Sequence, residues 1–141
     1  MQHWKLEPEV AAELGDHSEL DTSEHPPVVS RLHLRFTGWL GDDLIECFPC
    51  FVVTDALGRA LDEAKLSGYR LASLEVTRGD EMAELQPEIE LPEFKWLVLE
   101  NAPGADLRTD AQHNLVVTER AMKVLRRFRL DQCDIERAAP P

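Results

Sequence analysis

The residues with the most chemistry within reach of one another lie in the segment Trp39-Leu40-Gly41-Asp42-Asp43. Two neighbouring carboxylates beside an aromatic ring are the ingredients of a metal or acid–base site, with Trp39 as a platform for a ligand. On an extended backbone, however, adjacent side chains point to opposite faces, so Asp42 and Asp43 are poorly placed to share one ion or one proton. A turn with solvated charges is the expected reading. Trp39, like Trp4 and Trp96, is expected to anchor the core at a strand end.

A few residues on, Cys47-Phe48-Pro49-Cys50 is the one Cys-x-x-Cys of the chain, and Cys133 is the third cysteine. A redox pair needs its nucleophilic thiol at a helix N-terminus, where the dipole favours the thiolate. Here Cys50 runs into Phe51-Val52-Val53, a strand signal, and the helix begins only afterwards. A structural zinc site needs four ligands, and neither a second Cys-x-x-Cys nor a pair of histidines at ligand spacing supplies them. The pair is expected to be buried as small hydrophobes, with no metal and no cofactor. The five histidines, His3, His17, His25, His33 and His113, are scattered, and no His-Glu-x-x-His, nucleophile elbow or phosphate-binding glycine loop is present. No catalytic residue is assigned.

Charge separates the classes of partner. The 141 residues carry 15 basic and 27 acidic side chains, a net −12. The first hundred hold 8 basic and 21 acidic residues, whereas the last 41 hold 7 and 6. Such a surface repels phosphate backbones and anionic membranes, which argues against nucleic acid and membrane as partners, and it attracts a basic protein. Arg120, Lys123, Arg126, Arg127 and Arg129 form a basic stretch in this acidic chain. They either offset the acidic part internally or grip an acidic partner, so Arg120, Lys123 and Arg127 join Trp39, Asp42 and Asp43 as candidate binding residues. No run of eighteen apolar residues exists, and Met1 to Leu6 lacks the apolar stretch of a secretory signal. A cytoplasmic location is expected.

The elements that must position these residues are organised by an internal repeat. Phe51-Val52-Val53-Thr54-Asp55 aligns with Leu115-Val116-Val117-Thr118-Glu119, and the match extends through Ala60/Val124, Leu61/Leu125, Leu66/Leu130 and Leu71/Ile135. Each copy, 51–71 and 115–135, reads as strand, helix and strand. Thr54 and Thr118 are expected N-caps, and Asp55 and Glu119 place negative charge in the first turn, which the helix dipole favours. Helices are predicted over about 55–66 and 119–129, with Gly68 as the left-handed cap of the first. Leu57, Ala60, Leu61 and Ala64, and Ala121, Val124, Leu125 and Phe128, give each helix one apolar stripe.

Further strands are predicted at 28–36, with Arg31, His33 and Arg35 on the solvated face, at 44–47, 74–77 and 94–99, and a short helix at 81–85. Residues 8–27 and 101–113 read as loops, the first with one helical turn at Val10 to Leu14, and 138–141 as a mobile tail. The fold class expected is one α+β domain: an antiparallel or mixed sheet of five to seven strands with the two related helices packed mainly on one face.

The C-terminal copy, Leu115-Val116-Val117-Thr118-Glu119-Arg120 through Leu125, Leu130 and Cys133-Asp134-Ile135-Glu136, resembles the C-terminal part of immunity proteins from bacterial polymorphic toxin systems. In those families a valine-rich strand, a Ser/Thr-Glu helix start and a short final strand recur. Some of them carry paired Cys-x-x-Cys-Gly motifs; this chain has one Cys-x-x-Cys without the glycine, so no metal site carries over. The middle segment, Gly38 to Phe51, resembles uncharacterised actinobacterial proteins and implies no activity. The resemblance implies an immunity-like protein that neutralises a cognate toxin by occluding its site, and the acidic surface suits a basic, nuclease-type toxin; a monomer or homodimer is expected. The alternative is a small enzyme or ligand-binding protein using a cleft near Trp39, Asp42, Asp43, Cys47 and Cys50. A third reading is a structural subunit that dimerises through an exposed strand edge.

Overall fold

A computed structural model of the chain describes residues 2–139. Along the described residues the strands are β1 (His3–Glu7), β2 (Ala12–Leu14), β3 (Glu19–Asp21), β4 (Val28–Arg31), β5 (His33–Phe36), β6 (Leu44–Cys47) and β7 (Cys50–Thr54). Helix α1 (Asp55–Glu63) follows, then β8 (Tyr69–Ala72), β9 (Glu75–Arg78), helix α2 (Asp80–Leu85) and β10 (Phe94–Leu99). The chain ends with β11 (Leu107–Thr109), β12 (Leu115–Thr118), helix α3 (Glu119–Leu125) and β13 (Asp134–Ala138).

These form four small sheets, ordered β11-β12-β1-β13, β6-β7-β10-β8, β2-β5-β9 and β3-β4. The expected single sheet of five to seven strands with two helices on one face is therefore wrong. Thirteen strands and three short helices make this a mostly β structure among the described residues. The strand count was missed for identifiable reasons. The segments read as loops contain β2, β3 and β11, and Val10 to Leu14 ends in a strand rather than a helical turn. The run 28–36 is divided at the buried Leu32, so β4 and β5 belong to different sheets. At the C-terminus, Ala138 pairs with His3 as the end of β13, and Pro140 and Pro141 lie outside the described residues.

The two four-stranded sheets share one register. Val53 lies between Leu44 and Lys95, and Val117 lies between Leu107 and Trp4. Leu97 of β10 faces both Phe51 and Leu71, just as Leu6 of β1 faces both Leu115 and Ile135. In one sheet the strand between the two repeat strands follows its helix in sequence; in the other it is the first strand of the chain. Helices start where their threonines cap them: the Thr54 side chain accepts from Leu57 N–H and that of Thr118 from Ala121 N–H, each at 3.3 Å.

The apolar stripes of both helices enter one core with the facing sides of both sheets, among them Leu6, Phe51, Val53, Leu61, Leu97, Leu115, Val117 and Leu125. Each fully buried leucine contributes roughly 1.5–3 kcal/mol, so packing rather than surface charge docks α1 and α3. A second core lies on the opposite side of β7 and β10. There Cys50, Val52 and Phe94 meet Leu34 and Phe36 of β5 and Met82 of α2. Both faces of β7 are thus covered, which explains why Cys50-Phe51-Val52-Val53 is continuously apolar instead of alternating.

Candidate functional site

Gly41 reverses the chain at φ +106°, a conformation that favours glycine, and delivers Asp42 and Asp43 to the segment that leaves α3. Asp42 is fully buried. Its Oδ1 accepts from Asp131 N–H at 3.0 Å and its Oδ2 from Gln132 N–H at 2.8 Å. Asp43 Oδ2 accepts from Arg129 N–H at 2.8 Å, and its Oδ1 accepts from the Thr54 hydroxyl at 2.7 Å. The expected solvated turn is replaced by two carboxylates that accept from backbone N–H groups of the turn that follows α3, donors that α3 itself leaves without a helical partner. Burial pushes the Asp42 carboxyl above its usual range, against the lowering effect of the Gln132 and Asp131 N–H bonds.

Asp106 does the matching work in the other sheet. Its Oδ1 accepts from the Thr118 hydroxyl at 2.7 Å, and its Oδ2 accepts from Ser67 N–H at 3.0 Å and from Arg120 at 3.1 Å. Asp43 therefore joins the N-cap of α1 to the chain leaving α3, and Asp106 joins the N-cap of α3 to the chain leaving α1. Asp106 stands at the repeat offset of 64 from Asp42 but plays the part of Asp43, and it was missed because it lies in a segment read as a loop.

Trp39 is held rigidly beside this clasp. Its backbone N–H donates to Gln86 Oε1 at 2.8 Å, its carbonyl accepts from Gln86 Nε2 at 2.9 Å, and its indole N–H donates to the Asp42 carbonyl at 2.9 Å. The ring meets Phe94 edge-on, centroids 5.8 Å apart. Beneath the loop the buried Glu9 carboxylate accepts from Leu40 N–H at 2.7 Å and Asp42 N–H at 3.2 Å. Burial pushes this carboxyl up, against the lowering effect of those two bonds.

The result is an open groove of about 600 Å³ between the 37–40 loop and the end of α2, lined by Pro8, Trp39 and Gln86 and rimmed by Val10, Leu40 and Leu85. These three rim side chains are 75%, 61% and 77% exposed. Only tertiary context identifies Leu85 as a rim residue: it lies three positions from the fully buried Met82, where helical spacing alone predicts a shared inner face.

The other candidates lie elsewhere. Cys47 and Cys50 face each other across the two-residue turn between β6 and β7, inside the second core. Burial pushes their thiols up to about 11 and about 12, a setting that disfavours the thiolate. Arg120 donates to the Lys65 carbonyl at 2.8 Å and to Asp106, an internal task at the end of α1. Lys123 is exposed on α3, and Arg127 lines a shallow cleft with Arg59 and Phe128. None of these three lines the groove at Trp39.

The fold also gathers His17, His33 and Glu75, whose ligand-type atoms lie within 4.8 Å of one another. His33 was expected on a solvated face but is buried, because β9 pairs in parallel with β5 and sets Glu75 beside it. His17 Nδ1 lies 2.9 Å from Glu75, the two imidazoles stack at 4.9 Å, and His33 Nε2 is 2.8 Å from the Thr77 hydroxyl. His33 Nδ1 accepts from His17 N–H at 3.2 Å, so both ring nitrogens of His33 already have hydrogen-bond partners within the fold. Arg31 also approaches Glu75, at 3.5 Å. The cluster is a hydrogen-bonded clasp for the 15–18 turn.

No protein-family model, no curated protein and no solved structure matches this chain. No helix is long and apolar enough to cross a membrane among the described residues.

Proposed function

We infer that the chain is a non-catalytic acidic binding protein, immunity-like, which neutralises a basic toxin by covering its working surface. The observation that carries this reading is the stretch 80–93, α2 and the loop after it, which bears six carboxylates and no basic side chain beside the exposed Leu85 and Ile89. Glu81 pairs with Arg35 and Glu93 with Lys95, while Asp80, Glu84, Glu88 and Glu90 have no ion-pair partner among the described residues. Arg78 holds this loop to the body, donating to the Ile89 carbonyl and, at 2.7 Å, to the Gln86 carbonyl. Unpaired carboxylates beside exposed apolar side chains are suited to a basic protein surface, where complementary charge speeds encounter and apolar contact supplies affinity. The resemblance of Leu115 to Glu136 to immunity proteins is the second support.

The test is co-expression with basic toxins encoded beside this chain, followed by purification of the pair. The reading expects restored growth and a complex whose affinity falls as salt is raised. Unprotected growth and no complex with any of them would overturn it.

A further inference from the structure

Exposed apolar side chains scattered singly need no explanation, but here three converge on one groove. Val10 comes from the β1–β2 connection, Leu40 from the loop before β6 and Leu85 from the last turn of α2. Their convergence on a rigid tryptophan is the arrangement of a protein-binding hot spot, in which a preformed pocket receives one large apolar anchor. Rigidity matters because an ordered pocket adds little ordering cost on binding. Gln86 fixes both backbone groups of Trp39, and Glu9 fixes the backbone of Leu40 and Asp42.

Charge tells what sort of segment brings the anchor. The wall formed by α2 continues directly into the acidic loop, and Glu84, Glu88 and Glu90 lie within six positions of Leu85 or Gln86 along an exposed chain. A neutral or acidic segment would meet uncompensated carboxylates there. We propose that the groove between the 37–40 loop and α2 seats a large apolar side chain of a basic protein segment, whose lysines or arginines meet Glu84, Glu88 and Glu90. This rests on the reading of the chain as a binder of basic proteins and adds the place and the anchor to it.

The probe is a short fluorescein-labelled peptide of lysines interspersed with leucine and tryptophan, titrated against the full chain. Matched peptides carry serine for the apolar residues or glutamate for lysine. The variant Val10→Ser with Leu85→Ser removes the rim; both side chains are about three-quarters exposed, so the fold should tolerate it, and an unchanged urea midpoint checks that. The expected result is binding of the lysine–leucine–tryptophan peptide, a loss of about tenfold or more in the double variant, and a weaker salt dependence in Glu84→Gln/Glu88→Gln/Glu90→Gln. Equal binding by the double variant, or by the serine peptide, would overturn the groove while leaving an acidic binder standing. Failure of every lysine peptide to bind would overturn the binder reading itself. A wild-type dimer in sedimentation that Leu85→Ser dissociates would assign the groove to a second copy of this chain and overturn the proposal.

Discussion

Asp43 and Asp106 show how much one carboxylate can organise. Each joins a helix N-cap threonine to the backbone leaving the other helix, so each acts on two elements at once. Burial raises the Asp106 carboxyl, but the bonds from Arg120, Thr118 and Ser67 together outweigh it and hold the group below its usual range. A depressed carboxyl contributes stability that is present above the unfolded value near 4 and is lost as pH falls through the folded value. Asp106→Asn should therefore lower the urea midpoint at neutral pH, and the gap from wild type should close in acid below about pH 4. A gap independent of pH would mean that the charge of Asp106 contributes nothing. At this scale the sequence was half legible. The side-chain oxygens of Thr54 and Thr118 could be placed because capping is a local event, whereas the burial of Asp42 depends on a turn almost ninety residues away in sequence.

The helices and strands divide along the same line between local and distant causes. Both helix starts are where capping and first-turn acids place them. The end of α1 differs from expectation: Lys65, at φ +56°, takes the left-handed position, with Leu66 N–H reaching the Leu61 carbonyl and Lys65 N–H the Asp62 carbonyl. Gly68, φ +98°, serves instead where the chain passes β11; a Cβ there would lie 2.4 Å from the Leu107 carbonyl oxygen. Lys65→Gly should relieve the left-handed strain and, after the entropy glycine adds to the unfolded chain, gain about 0.5–1 kcal/mol, a rise of about 2 °C in Tm. A lower Tm would contradict the cap assignment. Strands were harder to read than helices. β1, β2, β3 and β11 are short or lie in Pro-, Gly- and acid-rich stretches, and their pairing is set by partners far along the chain rather than by any pattern of their own. β1 is the clearest example, since Leu6 completes a sheet whose other strands lie beyond residue 106.

For the molecule as a whole, two matched four-stranded sheets and their helices share one core, and a third small sheet with α2 covers the outer side of one of them. That cover is what sets Leu85 and the acidic loop beside Trp39, a conjunction that no spacing in the sequence announces. The net charge of −12 was legible from composition, but which carboxylates remain unpaired and which apolar side chains stand beside them depends on the fold. The measurement that tests the account most directly is amide hydrogen exchange of the chain alone and in complex with a toxin it protects against. Slowed exchange concentrated at 37–41 and 80–90 is expected. Protection confined to α3 and β13, with those two segments unchanged, would contradict it.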